Sequence, residues 1–323
     1  MILVRSPLRI SIGGGGTDLK SFSSLNGGFW ISAAIDKYVY TAVTHSFKNN
    51  IYLKYSNIEN INCVEEIEHP IIREALRLME LQFPKIEITT FSDVPSGVGL
   101  GGSSSFTTSL LKGLYTYYKK SIDPNTLAQL ACKIEIEKLK QPIGVQDQFI
   151  SAYGGFNSFS YIDGIVSVEP LKISCETLTT LENNLLLFFT GFTHTANEIL
   201  EEQNTKSINL DKDMINNLNL VKTMGYQTKD CLEEGKIEEF GRIMNEHWKI
   251  KKQRSSKMTN PKIDEWYEYA LKNGAIGGKN IGAGGGGFLL FLANDANKLS
   301  ESMKKVGLEE MHFKFDFEGT KIL

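Results

Sequence analysis

The chain has 323 residues, of which 41% are hydrophobic and 23% are charged, and its formal net charge is −3 at pH 7. These values are typical of a globular protein with one large domain or two ordinary ones. The small net charge offers no basic surface for nucleic acid or for an acidic membrane, so we expect neither as a partner. The four cysteines lack a Cys-x-x-Cys spacing. This favours reduced thiols in a cytoplasmic protein over disulfides or a metal–thiolate site.

The first half of the chain predicts a mixture of strands and helices. A proline at position 70 and an Asp-Pro pair at 123–124 are typical helix starts. Alternating or β-branched segments predict strands, and an Asp-Gly pair at 163–164 predicts a hairpin turn. The predicted strands are 5–12, 29–46, 51–55 and 85–91, the helices are 70–81, 106–118 and 125–138, and the hairpin is 156–168.

After about residue 170 longer helical segments dominate. Strands are predicted at 185–190, 275–281, 288–293 and 311–317, and helices at 195–205, 211–234, 237–255, 261–273 and 295–306. The apolar strand at 185–190 is too short to cross a bilayer. Because strands and helices interleave without strict alternation, we predict an α+β fold in two lobes, residues 1–170 and 171–323.

A glycine-rich loop joins the strand at 85–91 to the following helix. Glycines allow backbone N–H groups to crowd around a ligand. The first turn of a helix adds unpaired N–H groups and a positive dipole end, which suit the phosphates of a nucleotide. Serines at the helix start can cap the helix or contact a phosphate-bound metal. The predicted nucleotide-binding residues are Pro95, Gly97, Val98, Gly99, Leu100, Gly101, Gly102, Ser103, Ser104 and Ser105.

Other interpretations of this loop stay open on the residues alone. Gly97, Gly99 and Gly102 match the spacing of a dinucleotide-binding fingerprint, which would indicate an oxidoreductase. A flexible helix entry with a serine cap is the structural alternative. A Walker A loop is excluded, because no lysine follows Gly102.

The pattern Pro-x-Gly-x-Gly-Leu-Gly-x-Ser-Ser closely resembles the ATP-binding loop of the GHMP kinases, the family of galactokinase, homoserine kinase, mevalonate kinase and phosphomevalonate kinase. The resemblance implies phosphoryl transfer from ATP with Mg²⁺ as a cofactor. It also implies an N-terminal lobe like domain 2 of ribosomal protein S5 and a ferredoxin-like C-terminal lobe.

A second motif lies near the N-terminus. Arg9, followed by Thr17 and Asp18, resembles the galactokinase signature Pro-Gly-Arg and Gly-Glu-His-Thr-Asp. In the family this Asp accepts sugar hydroxyls and the Arg lies near the transferring phosphoryl group. Here glycines replace the Glu-His pair, which opens space and exposes N–H groups that suit a larger or anionic sugar. The implied substrate residues are Gly14, Gly15, Gly16, Thr17 and Asp18.

Glu135 precedes Asp147 by twelve residues, and Asp147 stands in a Gly-x-x-Asp-Gln sequence. This resembles the family's pair of acids, in which the Glu holds Mg²⁺ and the Asp acts on the attacking hydroxyl as a base or as an electrostatic anchor. The resemblance implies Ser103 or Ser104 together with Glu135 around the metal, and Asp147 with Arg9 as catalytic residues. The structural alternative is a solvated helix face and a helix cap.

The glycines between 274 and 287 resemble the family's C-terminal glycine motif, which backs onto the nucleotide loop and borders the active site. A flexible hairpin is the alternative. The resemblance implies that Gly284 and Gly285 contribute to the substrate site.

Together these motifs look most like those of the D-glycero-D-manno-heptose 7-phosphate kinases, which phosphorylate C1 for surface-glycan synthesis. A phosphorylated substrate needs cations, and we expect Lys251, Lys252 and Lys279 to supply them. A solvated helix face is the alternative for the lysine run. A fucokinase- or galactokinase-like enzyme and a non-catalytic sugar or nucleotide sensor also stay open, as does a homodimer.

Overall fold

The computed structural model describes residues 1–82, 84–192 and 196–323. Its strands are β1 (Ile2–Gly13), β2 (Gly28–His45), β3 (Ile51–Lys54), β4 (Ile58–Ile61), β5 (Ile86–Ser92), β6 (Phe156–Ile162), β7 (Ile165–Pro170), β8 (Leu185–Phe189), β9 (Ala275–Asn280), β10 (Phe288–Ala293), β11 (Glu309–Glu310) and β12 (Lys321–Ile322). Its helices are α1 (Lys20–Asn26), α2 (Pro70–Leu78), α3 (Gly102–Tyr117), α4 (Pro124–Cys132), α5 (Gln146–Tyr153), α6 (Cys175–Asn184), α7 (Ala196–Ile208), α8 (Lys212–Glu233), α9 (Ile237–Lys252), α10 (Pro261–Lys272) and α11 (Ala296–Lys305). Short turns of 3₁₀ helix (Val64–Glu66) and π-helix (Lys133–Lys138) complete the list.

The larger sheet has the strand order β12-β1-β2-β5-β3-β4, and β6 pairs with both β2 and β7. The long strand β2 pairs with β1 on one side, and on the other with β6 through residues 28–33 and β5 through residues 39–45. Arg9 lies in the middle of β1, opposite Ala34. The sheet therefore holds Arg9 on a strand that pairs with β2 along its length.

The smaller sheet is antiparallel, with the order β11-β8-β10-β9. Strands β8 and β10 are almost entirely apolar, and β10 is buried along its whole length. The main hydrophobic core reaches both sheets, since Trp30 and Leu110 belong to the same cluster as Leu187 and Leu290. The α+β fold predicted from the sequence is therefore confirmed.

The C-terminal tail returns to the larger sheet. In β12, Ile322 pairs with Val4 of β1, although the preceding strands β8–β11 form the smaller sheet. We propose the division near residue 170 as the boundary between the lobes, with this tail crossing back to the first lobe.

Some elements differ from their sequence prediction. The helix predicted at 125–138 is α-helical only to Cys132 and continues as a π-helical turn. The strand predicted at 311–317 is irregular, because its backbone meets β2 only at an isolated bridge between Phe315 and Ile35. The helix predicted at 195–205 corresponds to α7, and residue 195 lies outside the described residues.

None of the helices in the described part of the chain combines the length and apolarity needed to cross a membrane.

Candidate active site

The glycine-rich loop between β5 and α3 alternates glycines with buried apolar side chains. Gly97, Gly99 and Gly101 have φ angles of 78°, 83° and 78°, a region that glycine enters without a steric penalty. Val98 and Leu100 between them are buried. The apolar side chains therefore anchor the loop, and the glycines allow its backbone to turn around them.

Helix α3 begins directly after this loop. Its first intrahelical bond runs from the N–H of Ser105 to the carbonyl of Gly101, at 3.0 Å. The N–H groups of Gly102, Ser103 and Ser104 thus have no partner inside the helix. With the positive end of the helix dipole behind them, these groups can bind an anion such as a nucleotide phosphate.

The C-terminal glycine motif packs against this loop, backbone to backbone. A Cβ atom placed on Gly99 would lie 2.8 Å from the carbonyl oxygen of Ile281, and one on Gly282 would lie 2.6 Å from the Cα of Gly99. On Gly287 it would lie 2.2 Å from the carbonyl oxygen of Val98. Glycine is required because a side chain at these positions would separate the two loops.

Gly284 and Gly285 face a different neighbour. The N–H of Gly285 donates to the carbonyl of Met258 at 2.7 Å, and a Cβ on Gly284 would lie 2.4 Å from the Met258 sulfur. These two glycines therefore hold the motif against the segment after α9. Gly282 and Ala283 line the cleft instead.

Glu135 lies beside the first turn of α3. Its Oε1 accepts a hydrogen bond from the Ser103 hydroxyl at 2.6 Å, and its Oε2 accepts from the Ser104 hydroxyl at 2.9 Å and from Gln148 Nε2 at 2.8 Å. The carboxyl is completely buried, and this desolvation raises its pKa in spite of the three donors.

The three serines of the loop have different surroundings. Ser103 is exposed and Ser104 is buried. Ser105 is buried in the protein interior, where its hydroxyl donates to the carbonyl of Pro7 at 2.7 Å and lies 2.9 Å from the Ser151 hydroxyl. Ser103 is thus the serine most accessible to a ligand.

Arg9 and Asp147 form a bidentate ion pair. Arg9 Nε donates to Asp147 Oδ1 at 2.7 Å and Nη2 donates to Oδ2 at 2.8 Å. The third nitrogen, Nη1, donates to the carbonyl of Gly99 in the glycine loop at 2.5 Å. Gln146 Nε2 also donates to Asp147 Oδ1, at 3.2 Å. The guanidinium therefore fixes the position of Asp147 relative to the loop.

Asp18 occupies the turn after β1. Its Oδ1 accepts from the N–H of Gly16 at 3.0 Å, and its Oδ2 accepts from the N–H of Gln146 at 3.2 Å. Burial, followed by the charge of Asp147, raises the pKa of Asp18. Thr17 is buried and donates to the backbone carbonyls of Gly14 and Phe29, both at 2.8 Å. Thr17 and Gly14 thus shape the turn, and Gly15, Gly16 and Asp18 line the cleft.

A cleft of about 700 Å³, counting its open mouth, brings these groups together. Among the residues that the structure describes, its acidic residues are Asp18 and Asp147. The cationic and imidazole side chains outnumber them and come from β1, α9, β9 and the segment after α9: Arg9, His247, Lys251, Arg254 and Lys279.

Two of the predicted lysines belong to this cleft. Lys251 Nζ donates to the carbonyls of Asn280 and Gly282, at 3.0 and 2.6 Å, and Lys279 Nζ donates to the carbonyl of Ile12 at 2.9 Å. Burial and the neighbouring cations lower the pKa of Lys251 well below its usual value and that of Lys279 to about 7. Such shifts indicate a positive cluster with too few counter-charges.

Lys252 does not line the cleft. Its Nζ pairs with Asp264 Oδ1 at 3.0 Å on the surface, because Lys252 lies on a different side of α9 from Lys251.

Four further residues line the cleft but were not selected from the sequence: Arg254, Gln203, Ser11 and Gln146. The spacing of four between His247 and Lys251 was a local signal for a shared helix face. Arg254 belongs to the same cationic run, 247–254, but lies beyond the end of α9, so helical spacing did not single it out.

Comparisons with known proteins agree with this geometry. Residues 70–155 match the family model for the GHMP kinases N-terminal domain, and residues 228–308 match the model for GHMP kinases C-terminal. The first match includes Glu135 and Asp147, and the second includes Lys251 and Lys279. The chain therefore belongs to the GHMP kinase family.

Individual relatives refine the class. The chain is 29% identical to the D-glycero-alpha-D-manno-heptose 7-phosphate kinase of Campylobacter jejuni, over 99% of this chain and 98% of that protein. It is 25% identical to the galactokinase of Pyrococcus furiosus, over 91% of this chain and 89% of that protein. The crystal structure of a D-glycero-D-manno-heptose 1-phosphate kinase from Bacteroides thetaiotaomicron matches with a TM-score of 0.81 and 25% identity, over 100% of this chain and 99% of that one. The protein is a sugar kinase of the GHMP family, an ATP-dependent phosphotransferase.

Proposed function

We propose that the protein transfers the γ-phosphoryl group of ATP to the C1 hydroxyl of D-glycero-D-manno-heptose 7-phosphate, giving the 1,7-bisphosphate. The observation that carries this proposal is the cleft in which Asp18 and Asp147 lie among buried cations. A neutral sugar would leave the basic groups without a further counter-charge, which disfavours their protonated forms, whereas a sugar phosphate would stabilise those forms. The heptose phosphates in the names of two relatives point to the same class of acceptor.

The donor end of the cleft suits the triphosphate. The unpaired N–H groups of Gly102, Ser103 and Ser104 would bind the phosphates. Mg²⁺ fits beside them, because Glu135 is a buried carboxylate next to two serine hydroxyls. Magnesium is commonly held by one or two carboxylates together with phosphate oxygens and water. Bound there, it would neutralise charge on the phosphates, and Glu135 with Ser103 would hold it.

The acceptor end would be organised by the two aspartates. Asp18 is placed to accept hydrogen bonds from sugar hydroxyls. Asp147 would accept the proton of the attacking hydroxyl, or orient it, as the new P–O bond forms. Arg9 fixes the Asp147 carboxylate and supplies positive charge next to the transferring group. These roles are those that the family resemblance implied for the same residues.

The test is a panel of acceptors with ATP and Mg²⁺: heptose 7-phosphate, unphosphorylated heptose, L-fucose and D-galactose. We expect the highest kcat/KM with heptose 7-phosphate, and a product whose new phosphoryl group is located at C1 by its ³¹P coupling to the anomeric proton. A higher kcat/KM for L-fucose or D-galactose would contradict heptose 7-phosphate as the acceptor. ATP binding without turnover of any sugar would favour a sensor.

A further inference from the structure

Gly16 and Arg254 compete for the same space in the cleft. A Cβ atom on Gly16 would lie 2.4 Å from Arg254 Nη1 and 3.0 Å from Gln203 Nε2. The guanidinium therefore occupies the position in which a side chain at residue 16 would begin. A side chain at residue 16 would have a strained backbone, since φ is +98°, and would require the buried guanidinium to move.

The guanidinium of Arg254 is held by groups on the wall of the cleft. Its Nε donates to Asn217 Oδ1 at 2.9 Å, and its Nη1 donates to the carbonyl of Gly15 at 3.1 Å. Asn217 is itself fixed, since its Nδ2 donates to the carbonyl of Ile250 at 2.7 Å. Two of the three nitrogens are thus held by the protein, and the orientation of the third is set.

That third nitrogen, Nη2, is buried and has no hydrogen-bond partner among residues 1–82, 84–192 and 196–323. His247 Nε2, on the wall of the same cleft, is also without a partner in the described part of the chain. Arg254 is only 2% exposed, so water hydrates its charge poorly. An unsatisfied buried donor is costly unless a ligand pairs with it.

The surroundings of Arg254 favour an anion as that ligand. Burial lowers its pKa to about 10, and Asp18 is the carboxylate that opposes this shift. Arg254 in turn contributes to the lowered pKa values of Lys251, Lys279 and His247. A dianionic group among them would relieve both the repulsion and the missing hydrogen bonds.

We propose that the pair Gly16 and Arg254 selects the phosphorylated acceptor: Arg254 Nη2 donates to the acceptor's own phosphate group, and Gly16 provides the space that the guanidinium needs. Asn217 is the positioning residue of the pair. This inference rests on the proposed function only for its choice of a sugar phosphate as the anion.

The test compares the wild type with Arg254→Gln, Arg254→Lys and Asn217→Ala, using heptose 7-phosphate and unphosphorylated heptose. Since hydrogen bonds to charged groups are strong, we expect Arg254→Gln to raise KM for the phosphorylated sugar about 100-fold and to change KM for the other sugar less than about twofold. Arg254→Lys should recover part of the loss, and Asn217→Ala should raise the same KM about tenfold. The KM for ATP should be unchanged in each case.

Gly16→Ala tests the second half of the pair. Its φ of +98° adds backbone strain to the clash, so Gly274→Ala is the matched control, because Gly274 has a φ of +108° with open space around it. We expect Gly16→Ala to lose discrimination between the two sugars and Gly274→Ala to keep it. If Gly16→Ala does not fold, the KM values of the Arg254 and Asn217 variants decide whether Arg254 binds the acceptor's phosphate.

Calorimetry with heptose 7-phosphate and with inorganic phosphate, in the absence of ATP, separates this inference from the proposed function. Binding that depends on Arg254, in an enzyme that does not phosphorylate heptose 7-phosphate, would overturn the proposed function and support the inference. Turnover of heptose 7-phosphate with the same KM in Arg254→Gln as in the wild type would overturn the inference and leave the function standing.

Discussion

The two ends of the cleft provide positive potential by different means. At the donor end, backbone N–H groups of Gly102, Ser103 and Ser104 point from a helix start, and this geometry depends on close backbone packing. At the acceptor end, buried basic side chains such as Lys251 and Lys279 come from separate elements and gain positive charge on protonation. The loop before the helix leaves no space for a side chain at Gly99, and its N–H groups belong to the backbone, whereas the acceptor end depends on individual side chains. We therefore expect that substitutions at one end will weaken binding of ATP, and that substitutions at the other end will weaken binding of the sugar phosphate.

Asp147 lies between the two ends, and its removal should have the largest effect. We expect Asp147→Asn to lower kcat by about 1,000-fold, because general acid–base catalysis commonly contributes 10²–10⁴-fold. Calorimetry should show ATP and heptose 7-phosphate still binding to the variant, each within about threefold of the wild type. A kcat within tenfold of the wild-type value would contradict a role for Asp147 in the chemical step.

Glu135→Gln should affect the donor end alone. Loss of the carboxylate would weaken the site proposed for Mg²⁺, so we expect kcat/KM for ATP to fall about 100-fold and to recover partly at high Mg²⁺ concentration. The Kd of heptose 7-phosphate, measured without ATP, should not change. Glu137→Gln is the control, because Glu137 belongs to the same π-helical turn but is exposed. Equal losses in both variants would contradict the role of Glu135.

Lys251→Met and Lys252→Met make the converse comparison at adjacent positions of α9. Lys251 lies in the cleft, whereas Lys252 pairs with Asp264 outside it. We expect Lys251→Met to raise KM for heptose 7-phosphate about 20-fold with little change in KM for ATP, as expected for the loss of one charge-assisted contact. Lys252→Met should change neither KM more than twofold. Similar KM values for heptose 7-phosphate in both variants would mean that Lys251 does not contact the phosphate of the sugar.

The same contrast explains what could be predicted from the sequence. The donor end is one continuous segment, Pro95 to Ser105, so its residue pattern was enough to predict a helix start with anion-binding N–H groups. The ion pair between Arg9 and Asp147 joins residues far apart in the chain, and only the family resemblance placed them together. Arg254 ends the cationic run 247–254, but its place in the cleft could not be predicted, because it depends on tertiary contacts with Asn217 and Gly15 that no local pattern encodes.

The acceptor end should also differ from the donor end in its response to pH. With a pKa of about 7, Lys279 gains a proton as pH falls from 8 to 6, and an anion that prefers the charged lysine will bind more tightly at the lower pH. We expect the affinity of the cleft for sulfate, which stays fully ionised in this range, to fall about tenfold from pH 6 to pH 8. Sulfate avoids the titration of a sugar phosphate itself, whose second pKa is near 6.

Among the described residues, the cleft that contains Lys279 is also lined by the charged and titratable groups of Arg9, Asp18, Asp147, His247, Lys251 and Arg254, so a control must isolate its contribution. Burial and the nearby cations lower the pKa of His247 well below its usual value, which disfavours its protonation. In Lys279→Met the pH dependence of sulfate binding should flatten, while in Lys252→Met it should match the wild type. A wild-type affinity that is constant or rises between pH 6 and pH 8 would mean that the lysine charge is not coupled to the anion. The positive potential of the acceptor end would then come from its arginines, with the lysines serving only to hold the carbonyls of Ile12, Asn280 and Gly282.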